Sequence, residues 1–220
     1  MVQTLSRRET LRTLIIAAND PQAWLVNVRE LVDMSPDEAR AFSRAGHQLA
    51  DALGNLPVPV IAAVDSPALG GGCELVLACD MAIAGTGACF GQIEAMGGVL
   101  PAFGGTWRLA RRIGHQRALR MLFTGEVVDA ETAKSIGLVM DVVPSERLLD
   151  SAYALAAEIT QASRQSVAAI KRAVGIGTHL PPSTISALEE ELFAGLFGTE
   201  DQRQRMRAFV SGPQISQQAR

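Results

Sequence analysis

The segment Ala68-Leu69-Gly70-Gly71-Gly72-Cys73-Glu74-Leu75 constrains this chain more than any other, because it follows the apolar run Val58-Pro59-Val60-Ile61-Ala62-Ala63-Val64 and opens a helix with bare backbone and a carboxylate. Glycine has no Cβ, so three in succession let a ligand approach the chain closely. The first N–H groups of a helix have no intrahelical acceptor and lie at the positive end of its dipole. A strand, a turn and a helix start are therefore predicted here, with a place for developing negative charge of the kind that enolates and tetrahedral oxyanions need. Taken alone, the same residues also satisfy a tight structural turn in which Glu74 complements the helix dipole. Residues downstream of Leu75 separate the two readings.

The chain has 220 residues, of which 48% are hydrophobic, enough for one good-sized domain or for a core with a helical appendage. Twenty Lys and Arg face twenty-three Asp and Glu, for a net charge of -3, with no concentrated basic block and only 5% aromatic residues. That balance argues against a nucleic-acid groove. No apolar stretch reaches membrane-spanning length, and Met1-Val2-Gln3-Thr4-Leu5-Ser6-Arg7-Arg8 lacks the apolar core of a secretory signal. A soluble cytoplasmic protein is expected, with neither a nucleic-acid nor a membrane partner. Cys73, Cys79 and Cys89 do not form a Cys-x-x-Cys metal pattern, so buried reduced thiols and no metal site are expected.

Leu14-Ile15-Ile16-Ala17-Ala18 and Val58 to Val64 are short continuous apolar runs bounded by turn residues, as buried strands of one sheet are. Between them, Ser35-Pro36-Asp37-Glu38 supplies a hydroxyl N-cap, a proline at the first helical position and an acid three residues after the cap. This launches a helix through about Leu53, and strand, helix, strand implies a right-handed crossover. Cys73 to Cys79 is predicted as a short helix returning to the sheet through Met81-Ala82-Ile83-Ala84. Short helices come next at Thr106 to Ile113 and Arg117 to Phe123, and Asp129 caps Ala130 to Ile136, with Gly137 as the stop. Leu138 to Pro144 is a last strand or extended segment.

From Ser145 onward the pattern is helical, at about Arg147 to Ala162, Gln165 to Ala173, Ser183 to Phe197 and Glu200 to Phe209. An α/β core over 1–144, followed by a helical region over 145–220 that covers the core or a neighbouring subunit, is the expected organisation. Gly212 to Arg220 is expected to fray.

A second carboxylate appears in Phe90-Gly91-Gln92-Ile93-Glu94, twenty residues beyond Glu74, and is followed by Gly97-Gly98-Val99-Leu100-Pro101-Ala102-Phe103-Gly104-Gly105-Thr106. A helix, a strand and a glycine-rich turn fit in that interval, so the chain can fold back and bring both acids to one pocket. Two carboxylates in different environments can hold one proton between them, one acting as base while the other acts as acid. Glu94 alone also fits an exposed loop acid.

These residues in this order resemble the enoyl-CoA hydratase/isomerase family, also called the crotonase superfamily. The resemblance begins with Pro59 to Val64 leading into Ala68 to Leu75. It continues through Cys79-Asp80, Phe90 to Glu94, Pro101 with Gly104-Gly105-Thr106, Arg108-Leu109, Thr124-Gly125-Glu126, Ala130 to Ala133, Gly137-Leu138-Val139 and Val143-Pro144. It covers about Leu11 to Phe209.

The resemblance implies a spiral of ββα turns with a C-terminal helical trimerisation region, hence a homotrimer or dimer of trimers, and acyl-CoA thioester substrates whose enolate oxygen is held by two backbone amides. It implies no cofactor beyond coenzyme A carried by the substrate. Glu74 and Glu94 match the two acids of hydratases, whereas family isomerases commonly keep only the later one, so hydration is favoured over isomerisation or dehydration. Gly71 matches one oxyanion donor and Val26 is the best match for the other. Asn27, Val28, Arg29, Ala68, Gly70, Pro101 and Ala102 fall at substrate-binding positions, and Arg29 and Lys171 are candidates to meet the CoA phosphates.

Four departures accompany the resemblance. The family's opening β-hairpin and a further helix have no counterpart before Leu14 in this sequence, which therefore resembles a shortened form. Trp24-Leu25-Val26-Asn27-Val28-Arg29-Glu30-Leu31 is two residues short of the usual oxyanion loop and lacks its glycine; a packed turn into a helix fits these residues as well. Ala102 and Phe103 replace smaller residues, which bears on pocket shape and water access although the amide at Ala102 survives. Trp107 stands where the family often has Gln and reads as packing. A catalytically weak binding or assembly subunit of the same fold is the alternative these departures raise.

Overall fold

Val60, Ala62 and Val64 face one apolar cluster while Ile61 and Ala63 face another with Ile83, Leu148 and Ala152. This two-sided burial is why the run between Val58 and Val64 is apolar throughout rather than alternating. It becomes the second strand of a four-stranded sheet in the computed structural model, which describes residues 10–18, 20, 22–177 and 180–211.

The strands of that sheet are β1 (Leu14–Ala17), β2 (Val60–Val64), β4 (Met81–Gly85) and β7 (Asp141–Val143), in the order β1-β2-β4-β7. All three pairings are parallel, with Leu14 opposite Val60, Ile61 opposite Met81 and Ile83 opposite Asp141. A smaller sheet holds β3 (Pro67–Leu69), β5 (Cys89–Gly91) and β6 (Val127–Asp129). There Ala68 pairs with Phe90 in parallel and Phe90 with Val128 antiparallel. The smaller sheet escapes a periodicity reading because each strand has only three residues and two of them contain or adjoin glycine.

Helix α1 (Pro36–Gly54) connects β1 to β2 and starts as its sequence dictates. The Ser35 side chain accepts from the Glu38 N–H, and Glu38 accepts from the Ser35 N–H at 2.8 Å, closing a capping box. Helix α2 (Gly71–Ala78) begins two residues earlier than the Cys73 start expected, so Gly71 and Gly72 are its first two residues. Helices α3 (Gly105–Ile113), α4 (His115–Thr124) and α5 (Ala130–Ser135) come next, the last capped by Asp129, whose carboxylate accepts from the Thr132 N–H at 2.8 Å. The extended run expected over Leu138 to Pro144 shortens to β7.

Two compact units divide at Ile159 and Thr160, later than the change of pattern at Ser145. Helix α6 (Leu148–Thr160) explains the difference: its Leu148 and Ala152 are buried with Ile61, Ala63 and Ile83 of the parallel sheet. The second unit holds α7 (Arg164–Gly177), α8 (Pro182–Leu196) and α9 (Glu200–Ser211), with α7 packed on α8. The expectations on Met1 to Arg8 and on Gly212 to Arg220 lie outside the described residues.

Candidate active site

The turn between β3 and α2 is held by a hydrogen bond from the Gly70 N–H to the Gly91 carbonyl at 2.9 Å, which ties it to the neighbouring strand β5. Gly70 has φ +54 and ψ -124, a conformation open essentially to glycine alone. Gly71 is then the first residue of α2, so its N–H has no intrahelical acceptor and faces outward at the positive end of the helix. Ala68, fully buried in β3, fixes the strand that leads into this turn.

Glu74 lies on the first turn of α2, its own N–H bonded to the Gly70 carbonyl at 2.9 Å, and its side chain is 1% exposed. A carboxylate buried that deeply needs donors. It finds them in the loop before α3: the N–H groups of Phe103 and Gly105 both donate to Oε1, at 2.7 and 2.6 Å. Burial nevertheless pushes its pKa above the usual carboxylate range, opposed by the amides of Gly105, Phe103 and Ala102 and by the charge of His47.

Glu94 opens the 3-10 turn Glu94–Gly97, and its carboxylate comes back against the glycine turn. A Cβ on Gly70 would meet Oε1 of Glu94 at 2.9 Å. Burial raises its pKa to about 7, its own amide opposes that, and the negative charge of Glu74 adds to it. Gln92 is fully buried beside it and, with its amide nitrogen turned to Glu94, donates to both carboxylate oxygens at 3.2 Å. Both acids thus stand at one glycine turn, on residues supplied by two segments that the β3–β5 pairing brings together.

Val26 is half-buried with its side chain on Gly71, where a Cβ would lie 2.5 Å from Val26 Cγ2. Trp24 is buried, and its carbonyl oxygen occupies the space a Cβ on Gly72 would need. Asn27, Val28 and Arg29 sit on an exposed 3-10 turn instead: the Asn27 side chain accepts from the Arg29 N–H at 3.3 Å and donates to Glu30 at 2.8 Å. Pro101 is buried against Gly105, and the Ala102 carbonyl accepts from Ser43 Oγ at 2.7 Å. Ala102 is therefore engaged with α1 through its carbonyl and with Glu74 through its amide.

A cavity of about 320 Å³ adjoins these groups, lined chiefly by Trp24, Val26, Phe42, Gly46, Leu49 and Phe103 together with Gly71 and Glu74. Its walls are apolar apart from Glu74. Sequence reasoning missed the Phe103 and Gly105 amides that hold Glu74; the one signal for them was the Gly104-Gly105 pair, which lets the loop approach the acid closely. Arg108 completes this loop by donating to the Phe103 carbonyl at 2.6 Å while bridging to Asp51 of α1 at 3.0 Å, its guanidinium 4.2 Å above the Trp107 ring.

The model of the enoyl-CoA hydratase/isomerase family matches residues 6–216. The chain belongs to that family. Among enoyl-CoA hydratase/isomerase relatives, the short-chain-enoyl-CoA hydratase of Clostridium acetobutylicum is 39% identical over 189 residues, 86% of this chain and 72% of the relative. The crotonyl-CoA hydratase of Syntrophomonas wolfei is 36% identical over 199 residues, 90% of this chain and 76% of the relative. In structure, an enoyl-CoA hydratase from Bacillus anthracis superposes with a TM-score of 0.90 at 31% identity, over 95% of this chain and 82% of that one. The crotonase fold expected from the sequence is thereby established. Among the described residues, no helix is long and apolar enough to cross a membrane.

Proposed function

We propose that this crotonase-family enzyme is an enoyl-CoA hydratase that adds water across the α,β-double bond of an acyl-CoA thioester through Glu74, Glu94 and the Gly71 amide. The placement of two acids of unlike environment around one glycine turn carries this reading. Glu74, with Oε1 committed to the Phe103 and Gly105 amides, accepts a proton from water through its other oxygen as the water oxygen bonds to the β-carbon. The π electrons move onto the thioester oxygen, where the Gly71 N–H and the positive end of α2 stabilise the enolate. Glu94, whose pKa of about 7 leaves it close to half protonated at neutral pH, delivers its proton to the α-carbon. Transfer of the proton from Glu74 back to Glu94 restores the enzyme. The chain supplies acid, base and donor, so coenzyme A enters only as part of the substrate.

Val26 is the proposed second oxyanion donor, because it belongs to the segment packed on Gly71 and Gly72. Asn27, Val28 and Arg29 are proposed to meet the coenzyme A portion, all three being on exposed surface. A homotrimer or dimer of trimers is proposed, built on the region 145–220; exposed Ile170, Val174, Phe193 and Phe197 support it. Cysteines without disulfides support a cytoplasmic location.

The test is loss of the conjugated-thioester absorbance of crotonyl-CoA on addition of the purified protein, with identification of the product. 3-Hydroxybutyryl-CoA formed by the protein, and formed about 10²- to 10⁴-fold more slowly by Glu94→Gln, is the expected result. Shifted double bonds without water addition would make it an isomerase, and binding without turnover an assembly subunit.

A further inference from the structure

The cavity beside Glu74 is lined in part by an aromatic ring seated on a glycine. Phe103 lies against Gly71 on one side, where a Cβ would be 2.8 Å from its Cε2, and on the other its ring fills the space of the side chain that Gly46 of α1 lacks. Phe42, also on α1, packs against it in a tilted arrangement, with 5.0 Å between centroids and 50° between planes. The ring thus spans from the start of α2 to α1, beside a cavity whose other walls are apolar apart from Glu74.

Two properties make this ring a matter of substrate choice. The Phe103 backbone already has its duties, N–H to Glu74 and carbonyl to Arg108, and neither requires an aromatic side chain. The cavity is continuous with Gly71 and Glu74, and its apolar lining suits the hydrocarbon end of a thioester, so what stands in it limits the length of that end.

We propose that Phe103, lodged on Gly46, is a specificity-determining residue that closes the acyl end of the site and restricts the enzyme to short enoyl chains. The proposal rests on the acyl-thioester reading of the site. A methylene in an apolar pocket discriminates by about ten- to two-hundred-fold, so a ring in the path of several methylenes is a strong filter.

The experiment compares crotonyl-CoA with 2-decenoyl-CoA as substrates, and butyryl-CoA with decanoyl-CoA as calorimetric ligands, for the native protein, Phe103→Ala, Phe103→Leu and Phe103→Ala/Gly46→Leu. Phe103→Ala is expected to raise the decenoyl-to-crotonyl ratio of kcat/KM at least about tenfold. Phe103→Leu is expected to fall between, and the double variant to return toward the native ratio by refilling the space from α1. The ligand affinities should follow the same order. An unchanged ratio in both Phe103 variants, or a double variant that keeps the long-chain preference, overturns the proposal. Affinities that shift as expected in a protein without turnover would sustain the filter and overturn the hydratase reading, so the two fail separately.

Discussion

The carboxylate of Glu94 lies where a side chain on Gly70 would be, with its Oε1 2.9 Å from the missing Cβ. Gly70 also adopts a positive φ that L-residues rarely hold. Gly70→Ala therefore faces a strained backbone worth about 1–3 kcal/mol and pushes the acid from its post. Displacement of the acid by about 1 Å is expected to lower kcat about a hundredfold. Steady-state kinetics beside a thermal melt would show it, and unchanged kcat would mean that Glu94 need not stand at Gly70.

The protonation of Glu94 sets the direction of the pH dependence. Its pKa is raised to about 7, so the acid form needed at the α-carbon is lost as pH rises through 7. Hydration kcat/KM is expected to decline above that pH in the native protein. Glu94→Gln is expected to lose about 10²- to 10⁴-fold and to lack this limb. A native rate that instead climbs through pH 7 would reverse the roles assigned to the two acids.

The same shift is a cost to the fold. In the window between the ordinary Glu value of 4.5 and about 7 the folded chain binds the extra proton, so stability falls as pH rises, and the full cost is present above 7. Glu94→Gln, which mimics the protonated form, is expected to be more stable than the native protein at pH 8. The gain, discounted for partial solvent access, is about 1–2 kcal/mol, and it should vanish near pH 4. Melting curves at the two pH values would measure it; an advantage independent of pH would show that ionisation of Glu94 is not its source.

Much of the core was legible because the physics is local. The two-sided burial of β2 shows in its unbroken apolar run, and the Ser35 capping box is spelled out in four residues. The acids were legible through motif order, but their environment was not. The donors on Glu74 come from backbone 29 and 31 residues away, and an amide leaves no residue-type signature. The start of α2 was placed late because glycine disfavours helix in sequence reasoning. Here the helix opens on glycines because Val26, Phe103 and the Trp24 backbone press against Gly71 and Gly72 and leave no room for side chains.

Arg108 acts on Glu74 at one remove. Its guanidinium fixes the Phe103 carbonyl, and the N–H of that same residue holds the acid, while Asp51 secures Arg108 from α1. Arg108→Met should free the loop and shift Glu74's environment. A kcat reduction of about tenfold or more is expected, larger than any change in KM, with a displaced acidic limb in the pH profile. Arg108→Lys keeps the charge but loses the fork that reaches both partners, so it should recover little. Full recovery by lysine would reduce Arg108 to a charge on the surface of the loop.

Gly72 decides whether the Trp24 segment can lie on α2 at all. A methyl group there would occupy the position of the Trp24 carbonyl oxygen, which is backbone and cannot rotate aside. Gly72→Ala must therefore lift residues 23–26, and with them Val26 and one wall of the cavity beside Glu74. If Val26 supplies the second oxyanion amide, turnover should fall by about 10²- to 10³-fold, the cost of one such donor. Gly54→Ala is the comparison, since a Cβ at the end of α1 meets nothing within 4 Å. The two variants separate a donor from a lining. Loss of kcat in Gly72→Ala with crotonyl-CoA affinity retained assigns the segment to the oxyanion, whereas loss of affinity with kcat retained leaves it a wall and moves the second donor elsewhere.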